Sequence, residues 1–139
     1  MITTTADQVR KGDYIIIKEC PCRIFDTSRC RSKPLFHLQG SDIRTGKKVE
    51  DIYRGGATLE VLTSKRAEYR VLYFGLTDDP KVVHCMIDRD GIQEIPVTGI
   101  IQDFDIIAWK AGAAIYLTID SVLEHDIVLC RRIQWPGGS

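Results

Sequence analysis

The chain has 139 residues, 44% hydrophobic and 27% charged, with 19 Lys/Arg balanced by 19 Asp/Glu. That length allows one medium domain or two very small ones, and the apolar content argues against a disordered chain. No apolar run approaches the roughly 18 residues of a membrane span, so membrane insertion is not expected.

In chain order, Arg10-Lys11-Gly12-Asp13 reads as a turn, and Tyr14-Ile15-Ile16-Ile17 as a β-branched strand. Further short strands are predicted at 22–26, 35–42 and 48–53, with Thr45-Gly46 as the tight turn between the last two. A short apolar stretch at 59–62 precedes Ser64-Lys65-Arg66. Short strands at this spacing predict a small barrel.

The pattern restarts at Ala67. Tyr69-Arg70-Val71-Leu72-Tyr73-Phe74 predicts a strand, broken by Thr77-Asp78-Asp79-Pro80. Two more follow at 81–88 and 92–97, joined by the hairpin signal in Arg89-Asp90-Gly91. Ile100, Ile101, Phe104, Ile107 and Ala108 recur at helical spacing, with Thr98 as a candidate N-cap and Gly112 as a C-terminal stop. Strands at 114–119 and 126–133 close the chain, and five strands with one helix match an oligonucleotide-binding (OB) barrel.

Few residues suggest chemistry. The five cysteines, Cys20, Cys22, Cys30, Cys85 and Cys130, are odd in number and scattered, which is no disulfide framework. A zinc site would have to recruit Cys30 and His37 to the Cys20-Pro21-Cys22 pair, and buried structural thiols are the simpler reading. His37, His84 and His125 lie far apart, and no phosphate-binding glycine loop or nucleophile elbow is present. Trp109, Phe104, Tyr73 and Phe74 have the chemistry to stack bases, but such spacings usually belong to a core. No catalysis, metal or cofactor is implied. The N-terminal Met1-Ile2-Thr3-Thr4-Thr5-Ala6-Asp7 lacks the basic and apolar regions of a signal peptide, so an intracellular protein is expected.

The halves differ in charge. Residues 1–70 carry 14 Lys/Arg against 9 Asp/Glu, a net of +5, and residues 71–139 carry 5 against 10, a net of −5. A basic half suits nucleic acid, while opposed halves suit head-to-tail association of copies. The basic candidates are Arg29, Arg31, Lys33, Lys47, Lys48, Lys65 and Arg66. The acidic candidates are Asp78, Asp79, Asp88, Asp90, Asp103 and Asp105.

Pro21-Cys22-Arg23-Ile24, His37-Leu38-Gln39-Gly40 and Thr45-Gly46-Lys47-Lys48-Val49-Glu50-Asp51-Ile52 together resemble the translation factor 5A family. In that family P-C-K-I leads into a basic loop and then V-H-L-V-G-I-D-I-F-T-G-K-K-Y-E-D-I. The resemblance covers nearly the whole chain. It implies a mainly β protein, with an N-terminal SH3-like barrel over residues 1–66 and a C-terminal OB-fold over 67–139. In the second half its clearest echo is Gly112-Ala113-Ala114-Ile115-Tyr116-Leu117-Thr118-Ile119, similar to the family's G-E-E-I-L-I-T-V.

The family loop is K-T-G-K-H-G-H-A-K, whose central lysine becomes hypusine and reaches into the ribosome. Here Arg29-Cys30-Arg31-Ser32-Lys33-Pro34 is shorter and lacks Gly-Lys-His-Gly. Lys33 precedes Pro34, which favours extended backbone, and arginines are not aminobutyl acceptors, so hypusination is not expected. A second branch of the family, the Woronin-body core proteins of filamentous fungi, also has a short loop and opens its second domain with Y-R-V-L. Tyr69-Arg70-Val71-Leu72 stands at that place. This resemblance implies a non-enzymatic, self-assembling structural protein, in the cytoplasm or in a peroxisome-derived Woronin body. The C-terminal Gly137-Gly138-Ser139 is not the peroxisomal S-R-L-type tripeptide. The alternative is a 5A-like protein that binds ribosome or RNA without hypusine.

Overall fold

The computed structural model describes residues 1–75 and 83–137. They fall into two compact units, Met1–Ser64 with Val122–His125, and Lys65–Ser121 with Asp126–Ser139. The fold is mainly β, an SH3-like barrel followed by an OB-fold with one α-helix.

The N-terminal unit contains β1 (Ile2–Thr5), a 3-10 turn (Ala6–Gln8), β2 (Tyr14–Ile17), β3 (Cys20–Arg29), β4 (Leu35–Asp42), β5 (Lys48–Arg54) and β6 (Thr58–Val61). They form one sheet in the order β1-β6-β2-β3-β4-β5, and β2 also packs on β5, so the sheet curls. Ile15, Ile17, Cys22, Ile24 and Leu38 fill its core. The β2–β3 connection is a two-residue turn in which Lys18 and Glu19 adopt φ of 49° and 65°. Positive φ at both central positions is the type I′ geometry that matches strand twist. Ile24 pairs with Gly40 and Asp26 with Gln39, leaving Phe25 as a bulge that turns its ring outward.

The predicted Thr45-Gly46 turn is built around Asp42. Its buried carboxylate accepts the Arg44 N–H at 2.8 Å and two guanidinium bonds from Arg44 at 3.1 and 2.9 Å. Gly46 takes the positive φ of 75° and donates to the Asp42 carbonyl at 2.7 Å.

The C-terminal unit contains β7 (Ser64–Gly75), β8 (His84–Asp88), β9 (Ile92–Pro96), α1 (Asp103–Lys110), β10 (Ala114–Val122) and β11 (His125–Gln134). The sheet order is β11-β10-β7-β8-β9. Val71, Ile87, Ile115, Leu117 and Ile119 are at its centre, each at most 2% exposed. β7 runs through Lys65 and Arg66. Arg66 donates to both carboxylate oxygens of the buried Asp120 at 2.8 and 3.0 Å, which holds the start of β7 to β10.

The helix departs from its predicted form. It starts at Asp103 with Gln102 as N-cap, not at Thr98, whose hydroxyl instead accepts the Val83 N–H at 3.0 Å. Asp105 reaches back to accept the Gln102 N–H at 2.8 Å, the reciprocal contact of a capping box. The inward residues are Asp105 and Ala108, while Phe104 and Ile107 stand 62% and 66% exposed. Helical spacing was present, but the cap decided which face turned inward. Gly112 does end the helix region, at φ 106°.

Three predictions follow from these contacts. An alanine at Gly40 would bring its Cβ to 2.8 Å from Cys22 Cβ and 3.2 Å from the Arg23 carbonyl oxygen. Gly40→Ala should therefore cost about 1–3 kcal/mol, seen as a lower urea midpoint at unchanged slope. Replacing Asp105 by Ala removes a cap and a buried ionic contact, an expected loss of about 1–3 kcal/mol. Hydrogen exchange should then be fastest in residues 103–110. The Arg44 guanidinium lowers the Asp42 carboxyl from 3.8 to about 2. A carboxylate depressed by folding stabilises above its ordinary pKa, and that stabilisation disappears as pH falls through its folded value. Melting temperature should therefore drop between about pH 4 and pH 2, and Asp42→Asn should flatten that segment of the curve.

Candidate nucleic-acid interface

The β3–β4 ladder continues to the pair Arg29–Phe36, and the Cys30 N–H closes it on the Leu35 carbonyl at 2.9 Å. Only Cys30–Pro34 remain as loop, and the Gly55 N–H holds the Pro34 carbonyl at 3.0 Å. Lys33 is thus on a short pinned turn and not on an extended arm. Arg29, Arg31 and Lys33 are all exposed, and no ion pair engages them among the described residues. The Arg29 guanidinium lies 5.8 Å from the Phe36 ring centre.

Register adds a fourth charge that inspection of the loop alone missed. Leu35 pairs with Arg54, so Arg54 stands at this end of the sheet. Counting outward from the Thr45-Gly46 turn would have found it. Lys47 and Lys48 are at the other end, where Ser41 pairs with Lys48. Six residue steps separate the two ends, about 20 Å at strand rise. Lys48 is also engaged by Glu50 at 3.2 Å, and Glu50 meets His37 at 3.1 Å. These contacts hold the Glu50 carboxyl below its usual range, with Lys48 the main cause.

A shallow cavity of about 220 Å³ opens beside the loop, lined by Ser28, Arg29, Cys30, Leu35, His37 and Ile52. The exposed Cys30 thiol is lowered below its ordinary range by the Ser32 backbone N–H and hydroxyl. Burial does the opposite at Cys22 and Cys85, pushing them up to about 11 and about 12. All five cysteines are free, and no cluster of three or more metal-ligating side chains occurs among the described residues. No described helix is long and apolar enough to cross a membrane.

The other predicted site residues are elsewhere. Lys65 and Arg66 belong to the second unit, and Arg66 is committed to Asp120. Asp88, Asp90 and Asp103 are exposed. Asp105 is not a surface charge, because it is fully buried with Arg131 Nε 2.7 Å from Oδ1, off the line of a hydrogen bond. Asp78 and Asp79 lie outside the described residues. Of the aromatics considered for stacking, Phe74 and Trp109 pack edge to face at 5.3 Å against the core.

Residues 1–55 match the family model described as translation initiation factor 5A-like, N-terminal. Eukaryotic translation initiation factor 5A-1 of Saccharomyces cerevisiae is 38% identical over 126 residues, covering 87% of this chain and 78% of that protein. The 5A-2 protein of the same yeast is 40% identical with the same coverage. Among solved structures, eukaryotic translation initiation factor 5A from Methanococcus jannaschii superposes with a TM-score of 0.65 at 18% identity, over 94% of each chain. A translation initiation factor eif-5a family protein from Naegleria fowleri gives 0.54 at 20% identity, over 96% of this chain and 98% of that one. These structural likenesses speak for the fold. The sequence identity along most of the yeast protein's length goes further, and the chain belongs to the translation initiation factor 5A-like family.

Proposed function

We propose that this chain acts as a 5A-type translation factor that binds ribosome or RNA through the cationic loop end of its N-terminal unit, without hypusine. The observation that carries this reading is the convergence of Arg29, Arg31, Lys33 and Arg54 at one end of the β3–β4–β5 ladder. Exposed cations that no carboxylate neutralises attract phosphate, and arginine forks match its oxygens. The pinned loop offers a fixed cationic surface instead of a reaching side chain. The role is that of a binding protein and not of an enzyme.

The self-assembly reading, with a Woronin-body-like lattice, draws on the short loop and the opposed charge of the two halves. It has less support, since Asp105 of the acidic set is enclosed.

Binding to ribosomes or single-stranded RNA should weaken linearly in log affinity with log salt. Reversing Arg29, Arg31 and Lys33 to glutamate should flatten that slope by about 2, at roughly 0.7 per lost phosphate contact. Reversal of Lys47 and Lys48 should change it less. An unaltered slope in the triple variant would sink the proposal. Salt-sensitive growth of large particles by light scattering, with no RNA uptake, would instead support assembly.

A further inference from the structure

The outer face of the C-terminal sheet carries a second, unassigned site. Strand alternation sends Ile115, Leu117 and Ile119 into the core and therefore turns Ala114 and Tyr116 of β10 outward. Both are half-buried, while Arg70 of β7 and Gln134 of β11, on the flanking strands, are exposed. After β11 the chain continues through Trp135 and Pro136, and Pro136 Cγ comes within 3.9 Å of the position a Cβ on Gly112 would occupy. The result is an open pocket of about 270 Å³ whose walls include Arg70, Tyr116, Gln134 and Trp135.

The chemistry of these walls is specific. Tyr116 is not a loose ring, because the Arg132 guanidinium lies over it at 4.3 Å from the ring centre. Arg132 is itself held by Glu68 at 2.7 Å and by Gln134 Oε1 at 3.0 Å. That arrangement neutralises Glu68 and occupies the acceptor end of Gln134, leaving its NH2 as a donor. Arg70 has no ion-pair partner among the described residues. Trp135 is 47% exposed although it borders the pocket. The site therefore joins two aromatic rings to donors from Arg70 and Gln134, with the Glu68 carboxylate already paired.

We infer that this pocket binds a single unpaired nucleotide of an RNA strand, its base stacked against Tyr116 and Trp135 and its acceptors met by Arg70 and Gln134. Every base has a π face, so stacking of this kind is tolerant of sequence. Gln and Arg side chains are planar donors suited to base edges and phosphate oxygens. The volume fits one flat ring and is below the usual range for larger ligands, about 300–1,000 Å³.

The site is separate from the loop end of the first unit, so the two readings can fail independently. The chain has two tryptophans, and Trp109 is packed against Phe74, so Trp135 is the more accessible reporter. Hexaadenylate and hexauridylate RNA should each quench tryptophan fluorescence saturably. Trp135→Ala should abolish the quench and lower affinity roughly five- to a hundred-fold. Tyr116→Leu and Arg70→Ala should each weaken binding, whereas the triple loop variant should retain the quench at saturation. A measurement that needs no variant is the change in amide NMR shifts on adding AMP, expected at Arg70, Ala114, Tyr116 and Gln134. Absence of both quench and shifts, or the same affinity in Trp135→Ala, would overturn the inference. Quenching by a proline-rich decapeptide but not by RNA would assign the pocket to a peptide and overturn it equally.

Discussion

Cys22 pairs with Asp42 and Arg29 with Phe36, and the ladder between those pairs holds the register on which the N-terminal unit depends. Gly40 permits the close approach in its middle, and the Phe25 bulge absorbs the extra residue. A strand slip of one residue would send every side chain to the opposite face. With the register held, Arg29, Arg31 and Lys33 fall at the same end as Arg54, and Lys47 and Lys48 at the other. The cationic end of the sheet is therefore a consequence of pairing and not of a charge run.

Buried carboxylates are the second organising element. Asp42, Asp105 and Asp120 are at most 5% exposed, and each is met by an arginine, Arg44, Arg131 and Arg66 respectively. Removing a charge from water is costly unless a partner and hydrogen bonds compensate for it. Each pair accordingly marks a defined junction, a turn, a helix start and the first residues of a long strand. Part of the charge that composition assigns to the surface is committed to architecture. This weakens any account of association built on formal charge alone.

The aromatic side chains of the C-terminal unit divide by role. Phe74 and Trp109 support the core, whereas Tyr116 and Trp135 border an open pocket. The arginine over Tyr116 orders that ring while consuming the local carboxylate. A surface so arranged is prepared for a flat, acceptor-rich ligand before any ligand arrives.

Much of the fold was legible in the residues. β-branched runs, Thr45-Gly46, Asp90-Gly91 and the alternation at 114–119 encode local geometry, because strand and turn preferences act over a few neighbours. The short loop without Gly-Lys-His-Gly was equally plain, as was the family framework around it. Other features depended on contacts between distant residues. Helical spacing at Phe104 and Ile107 did not reveal that Asp105 would turn inward, since its partners Gln102 and Arg131 are met only after folding. Arg54 joined the cationic end through pairing with Leu35, and Trp135 reached Tyr116 through the path of the chain after β11. By itself the sequence determined the strands and turns of the two barrels and a short loop at 29–34 without Gly-Lys-His-Gly. Tertiary structure decided which charges remain free to bind, because only packing brings an arginine to its carboxylate and takes that carboxylate out of water.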